Sequence, residues 1–296
     1  MNLLRRGFKL MRKRILPFLF LAPGLLLYGI FMFGAIIIAI ALSFLHWEGV
    51  VGTIEFVGLQ NYFHVVTDSR FWLSVKNTLV YLTVYNIIMI LLAIGLALLL
   101  NSPLTKFKLF FRSVYFLPVT FSFVAIALTF SMIYHIDYGI INLILKTLNL
   151  PKVGWLEDPN IALYSLAFMR VWRNTGYYTI ILLAGLQSIP DELYDAAKVD
   201  GADAIQRTLY ITFPLWRGMI LVALVMSTIW SFQVFAEPWI LLKGGPVDAT
   251  LTTAIYIYQQ AFGAWRFGLA SAAAVINAML VFIISSLQFK FIRGGT

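Results

Sequence analysis

The chain has 296 residues, of which 61% are hydrophobic and 12% charged, with a formal net charge of +9 at pH 7. Soluble domains run at roughly 45–50% apolar and about 25% charged, so these proportions exclude an ordinary soluble fold and point to an all-α polytopic membrane protein. Cysteine is absent, which excludes disulfides, thiolate metal sites and cysteine nucleophiles; His46, His64 and His135 are scattered without ligand spacing, so no metal site is expected.

Crossing a bilayer as a helix takes about 20 apolar residues. Six segments meet that need: residues 15–45, 77–100, 114–134, 161–187, 218–242 and 267–289. A basic tail, residues 1–14, precedes the first, which is too long for the apolar region of a signal peptide and is read as retained. Residues 15–296 are therefore read as one transmembrane domain, with no soluble domain in its loops. In the third loop, residues 140–148 (IINLILKTL) are apolar enough for a short interfacial helix, ended by Asn149 and Pro151.

Orientation follows from Lys and Arg, which accumulate on the cytoplasmic side. The tail carries Arg5, Arg6, Lys9, Arg12, Lys13 and Arg14; the second loop Lys106, Lys108 and Arg112; the fourth Lys198, Arg207 and Arg217; the C-terminal tail Lys290 and Arg293. That makes fourteen on one side against six on the other, where Arg70, Lys76, Lys146, Lys152, Lys243 and Arg266 lie. Both termini are expected to be cytoplasmic. The positive charge is thus a matter of topology, and no nucleic-acid partner is implied.

The fourth loop, residues 188–217, reads SIPDELYDAAKVDGADAIQRTLYITFPLWR. Ser188 followed by Asp191 fits a capping box, and Pro190 suits a first helical turn. Asp191, Glu192 and Asp195 place negative charge near the positive end of that helix. Leu193, Ala196 and Ala197 share a face. Gly201 can take positive φ, ending the helix and turning the chain. A second short helix is expected from Ala202, with Ile205 and Leu209 on one side, before Pro214 begins the return to the membrane. From the residues alone this helix–turn–helix is either an amphipathic connector or, because Ala196 and Ala197 permit close approach, a docking surface.

The same stretch resembles the signature loop of binding-protein-dependent ABC importer permeases: Glu-Ala-Ala, three residues, Gly, nine residues, Ile, any residue, Leu-Pro. Here it stands as Asp195-Ala196-Ala197, three residues, Gly201, nine residues, Ile211, Thr212, Phe213-Pro214. Asp195 replaces the usual Glu and Phe213 the usual Leu. The resemblance implies a six-span permease of the type I importer architecture, whose coupling helix sits in a cleft of an ATP-hydrolysing subunit. It also implies two copies of that subunit carrying ATP and Mg, a second homologous permease and an extracytoplasmic solute-binding protein, in the cytoplasmic (inner) membrane of a bacterium or archaeon. No cofactor and no catalytic residue are expected on this chain, because a Gly-x-x-x-x-Gly-Lys-Ser/Thr phosphate loop is missing from it.

Further strings resemble carbohydrate permeases, the larger subunit of maltose-type systems above all: Phe111-Arg112-Ser113 with Phe116-Leu117-Pro118, Gly154-Trp155-Leu156, Val171-Trp172, the run from Gly185 to Pro190, and Gly244-Gly245-Pro246. Matched to that pattern, the sugar-contacting positions fall at Asn174, Tyr177, Ser227, Trp230, Ser231 and Val234. Aromatic rings stack on pyranose faces while hydroxyls and amides bond sugar OH groups. Only Tyr177 and Ser227 match as identities, and Val234 offers no side-chain hydrogen bond. Ser227, Trp230, Ser231 and Val234 are expected on one helix face. Arg170 and Arg173 fall inside the fourth span, where they pair with a carboxylate such as Glu237 or Asp137, face an outer vestibule, or bind an acidic substrate such as a glycerol phosphate or acidic sugar. Gly244-Gly245-Pro246 reads as an outer turn. An ion-coupled transporter would need a buried carboxylate and commonly an internal repeat; Glu237 is the one carboxylate within a span, and no repeat is evident. A membrane enzyme would need a nucleophile–base pair or a metal cluster at the membrane face, and neither is visible.

Overall fold

The computed structural model describes residue 18, residues 20–47, residue 49 and residues 52–293, with the side chains of residues 291–293 excepted. The basic tail and the start of the expected first span lie outside the described residues. In chain order the elements are α1 (Phe20–Ser43), β1 (Leu45–His46), β2 (Glu55–Phe56), α2 (Gln60–Thr67), α3 (Ser69–Asn101), α4 (Lys108–Thr120), α5 (Phe123–Ile133), α6 (Ile140–Thr147), α7 (Ala162–Gln187), α8 (Asp191–Val199), α9 (Ala204–Leu242), α10 (Thr253–Tyr258) and α11 (Phe267–Arg293). Among the described residues, α1, α3, α9 and α11 are each long and apolar enough to cross a membrane, and a fifth crossing results if α4 and α5 together make one.

The chain divides into two compact units. The first comprises residues 1–67 and 260–276. In it β1 and β2 pair antiparallel, Leu45 opposite Phe56 and His46 opposite Glu55. The Asn61 amide closes this corner by donating to the carbonyls of Ser43 at 3.0 Å and Leu45 at 2.9 Å. At the start of α11 the Phe267 amide donates to the Trp47 carbonyl at 3.0 Å. Gly268 lies so close to the Leu45 carbonyl that a Cβ there would strike backbone, which only glycine avoids.

The second unit comprises residues 68–259 and 277–296. Its centre is the pairing of α3 with α7. On α3 the residues Tyr81, Tyr85, Met89, Ala93 and Ala97 recur at i, i+4, forming one buried ridge, and Leu166, Ala167, Met169 and Leu182 of α7 are buried in the same cluster. Small residues set the distances between helices: a Cβ on Gly176 of α7 would meet the backbone of Tyr115 on α4, so those two helices pack with no side chain between them. Trp216 of α9 is buried and donates its indole N–H to the Leu182 carbonyl at 2.7 Å, meeting the need of a buried Trp for an acceptor.

Four expectations are corrected. The third span is not one straight helix: α4 and α5 meet at 96°. Pro118 lacks the N–H that would continue the ladder, and Ser122 begins the next helix by accepting from the Val124 amide at 3.2 Å. The second span starts earlier than residue 77, at Ser69, because Asp68 caps the helix through the Arg70 amide. Ser188 forms no capping box with Asp191; its hydroxyl bonds back to the Gly185 carbonyl at 2.7 Å and closes α7, leaving α8 without a side-chain cap. The second helix of the fourth loop is not separate: from Ala204 it runs through a π turn at Thr208–Thr212 into the apolar part of α9. The short helix expected at residues 140–148 is present as α6, and Asn149 follows it at φ 56°.

Candidate functional site

Two places gather the residues singled out by sequence: a buried polar band where α3, α7 and α9 meet, and the exposed turn between α7 and α9.

The band is organised by Arg170. This side chain is 5% exposed and its Nη1 donates to Oε1 of Glu237, itself 2% exposed, at 2.7 Å. Its Nη2 reaches the Trp230 carbonyl at 3.4 Å, and its guanidinium lies 5.6 Å from the Tyr85 ring centre and 5.5 Å from that of Phe123. A buried charge is tolerated in this way, by one opposite charge and the faces of aromatic rings. Asp137, the other partner considered for the arginines, instead pairs on the surface with Lys152 at 2.8 Å. That bond holds the exposed Asp137 carboxyl below the usual range.

Arg173, one residue short of a turn further along α7, does a different job. Its Nη2 donates to the carbonyls of Val119 at 3.0 Å and Phe121 at 3.2 Å, and its guanidinium stacks 3.6 Å from the Phe123 ring centre. A cation at the end of α4 satisfies carbonyls that the bend leaves without helical partners. Nη1 donates to Asn174 Oδ1 at 2.9 Å, and the Asn174 amide donates to the Tyr85 hydroxyl at 3.1 Å.

The six expected sugar contacts differ in exposure. Asn174, Ser227, Ser231 and Val234 are buried, Tyr177 is half-buried, and Trp230 is 55% exposed. Ser227 and Ser231 spend their hydroxyls on the carbonyls of Leu224 and Ser227. Ser227, Trp230 and Ser231 stand on the regular helix at the expected i, i+3, i+4 spacing, and Val234 lies past its end, after Phe232. Tyr81 and Tyr85, whose stacked rings line the band from α3 at 6.2 Å, were missed by the sequence reading, as was Phe123. Their signal was an i, i+4 tyrosine pair within an otherwise apolar span. Asn86 on the same helix was missed too; its amide meets the Thr228 hydroxyl at 3.1 Å, and Gln288 of α11 reaches that same oxygen at 2.9 Å.

The exposed turn is built by local chemistry. Gly201 takes φ 81°, the Ala202 amide donates to Ala197 at 2.8 Å and the Gly201 amide to Lys198 at 3.1 Å, which is a Schellman closure of α8. Asp203 and Gln206 then exchange reciprocal bonds of 2.9 and 2.7 Å as a true capping box for the start of α9. Tyr194 ties α8 to the π turn through the Thr212 hydroxyl at 3.0 Å. Asp195, Ala196 and Gly201 are exposed, Ala197 and Ile211 half-buried, and Pro214 exposed in the first turn of the helix that follows. Asp195 pairs with Lys198 at 2.7 Å on the surface of α8 itself. Val199, Ile205 and Tyr210 are 88%, 70% and 78% exposed; a surface so apolar on a loop is the mark of an interaction site.

On the opposite end of the second unit, Gly244 (φ 94°) opens the expected turn and the Gly245–Pro246 bond is cis. Arg70 holds this turn through a double contact with Asp248, 2.6 Å from Nε and 2.8 Å from Nη2, while the Asn77 amide takes the carbonyls of Asp248 and Leu251.

This chain is similar to the probable ABC transporter permease protein YurN of Bacillus subtilis, 35% identical over 96% of this chain and 98% of that one. It is 34% identical to the lactose transport system permease protein LacF of Rhizobium radiobacter, over 93% of each chain. Its fold matches a chain of a bacterial alginate ABC transporter crystallised with a pentasaccharide-bound periplasmic protein, with a TM-score of 0.81 at 24% identity over 94% of both chains. Residues 78–294 match the family described as the binding-protein-dependent transport system inner membrane component, and this chain belongs to that family.

Proposed function

We propose that this chain is the permease subunit of an ATP-driven importer that carries a neutral sugar or oligosaccharide into the cytoplasm by alternating access. The observation that carries the reading is the exposed α8 turn, where the Asp195–Pro214 pattern coincides with a Schellman-closed helix presenting Ala196 and Val199 outward, followed by exposed Ile205 and Tyr210 at the start of α9. A rigid, protruding turn joining two long helices suits a lever pushed by another protein. In this reading α8 docks on an ATP-hydrolysing subunit, present in two copies and carrying ATP and Mg, so hydrolysis stays outside this chain. A second homologous permease and an extracytoplasmic solute-binding protein complete the assembly. With α4 and α5 counted as one crossing and α7 as another, six spans would leave both termini on one side, and the excess of Lys and Arg there supports the cytoplasmic one.

Sugar as the substrate is supported by the name of the lactose relative and by the aromatic and amide groups around Asn174, Tyr177 and Trp230. A glycerol phosphate or acidic sugar is the second reading within the same class, but Glu237 already meets the charge of Arg170, and Arg173 is spent on backbone carbonyls. That disposition favours a neutral substrate. An ion-coupled mechanism has less to rest on, since the buried carboxylate of Glu237 is tied to an arginine. Reconstitution with its three kinds of partner in vesicles tests the proposal: sugar accumulation should require ATP on the cytoplasmic face and the loaded binding protein. Accumulation driven by a proton or sodium gradient without ATP would overturn it.

A further inference from the structure

The stretch joining α3 to α4 carries features that transport as proposed does not use. A cavity of about 430 Å³ opens there, walled by Leu99, Leu104, Phe107, Phe111 and Tyr115. Lys106 stands in its lining as the one charged member. Leu104 and Phe107 are 88% and 81% exposed, so the apolar walls open outward rather than closing over a core. Directly beside it α4 follows Phe107, which is in a left-handed conformation (φ 55°), and no side chain caps its first turn. The thirteen residues of α4 give that uncapped end a positive dipole, and its first amides have no helical acceptor. Lys108 adds a second ammonium, spending one hydrogen on the Asn101 carbonyl at 3.3 Å. No acidic residue occurs anywhere between Asp68 and Asp137, so no carboxylate close in sequence balances Lys106, Lys108 and Arg112.

We propose that this cavity is a binding site for an anionic phospholipid, its phosphate held between Lys106, Lys108 and the open amides of α4, and an acyl chain laid along the Leu104–Phe107–Tyr115 walls. Asn101 ends a helix long and apolar enough to span the bilayer, so the lysines stand at headgroup depth and the cavity at the depth of the acyl chains. Basic clusters between spans at a membrane edge recognise such headgroups. The inference needs only that α3 spans the membrane; it holds whichever face the loop occupies and whatever the substrate, so it can fail while the transport reading stands.

The full-length chain reconstituted in bilayers of phosphatidylcholine and phosphatidylglycerol in equal parts, then washed in detergent and weighed intact by native mass spectrometry, should retain phosphatidylglycerol in preference to phosphatidylcholine. Lys106→Gln with Lys108→Gln should lower that retention about thirtyfold, the effect of two basic residues at a membrane surface. Lys146→Gln, on α6, should leave it unchanged. Equal retention of the two lipids by the unsubstituted chain would overturn the proposal, and this arm needs no variant to fold. Retention that survives the double substitution in a chain of unchanged melting temperature would overturn it as well.

Discussion

Arg170 and Glu237, 67 positions apart in the chain, meet at 2.7 Å inside the second unit with both side chains almost wholly shielded. A buried pair of this kind is a poor source of stability, but removing one partner strands the other, at a cost of about 3–5 kcal/mol. Arg170→Ala and Glu237→Ala should each lower the unfolding temperature of the detergent-solubilised chain, and the double substitution should cost less than their sum. Strictly additive losses in a double-mutant cycle would show that the two charges do not depend on each other.

Two glycines on α7 predict different outcomes for one added methyl. At Gly176 a Cβ meets backbone of Tyr115, which cannot move without shifting α4; at Gly185 it meets the Cγ and Cβ of Met219, near the root of that side chain, where a rotamer change gives only partial relief. Gly176→Ala should therefore destabilise by about 1–3 kcal/mol, in the range of overpacked cores, and Gly185→Ala by less. Thermal unfolding of the two variants side by side makes the comparison, and an equal effect would mean that α4 is not held against α7 as closely as described.

The turn around Asp248 should respond to acid. The hydrogen bond from Arg70, with charge attraction behind it, holds the Asp248 carboxyl below the usual carboxylate range. Its folded pKa is depressed, so the contact contributes in full above the ordinary carboxylate pKa and is lost as pH falls through the lowered value. Amide exchange across residues 244–253 should stay slow at neutral pH and quicken in that acidic window. Arg70→Gln should remove most of the pH dependence by taking away its cause. An unchanged acid response in that variant would assign the effect to another group.

Topology offers a separate check. Reporter fusions at Thr296 and within residues 154–160 are expected to report opposite faces of the membrane, from the bias of fourteen Lys and Arg against six. Both reporters on one face would reject the six-span arrangement while leaving the family assignment untouched.

What was readable in the sequence tracks how local its cause is. Apolar length located α7, α11 and the end of α3 to within a few residues, though not the start of α3, and the glycine required at a left-handed position announced Gly201 and the end of α8. The bend between α4 and α5 was not read, because Pro118 also occurs in helices that continue; what fixes the break is Arg173, more than fifty residues away, taking up the carbonyls of Val119 and Phe121. Ser188 illustrates a competition that spacing cannot decide: one hydroxyl could cap the helix after it or close the helix before it, and it does the latter. In the band, the sequence offered Glu237 and Asp137 as alternative partners for Arg170, and the fold pairs it with Glu237. Break of the helix after Phe232 and the exposure of Trp230 depend on tertiary packing that a fixed i, i+4 rule does not contain.

The α8 turn carries the prediction of widest consequence. Gly201 sits at φ 81° with open space where a Cβ would stand, so any substitution there is felt through the backbone alone. Gly201→Val should cost on the order of 1 kcal/mol or more and loosen the Schellman closure, whereas Gly201→Asn, which tolerates that conformation better, should retain most function. Ala197→Trp acts differently: it leaves the closure intact and places a ring where close approach to the proposed ATPase is needed. Both Gly201→Val and Ala197→Trp should abolish transport while the chain still inserts in the membrane. They should part at co-purification, with Ala197→Trp losing the ATPase outright and Gly201→Val retaining it without binding-protein-stimulated hydrolysis. Normal stimulated hydrolysis in both variants would reduce the turn to a connector and remove the main support for the importer mechanism.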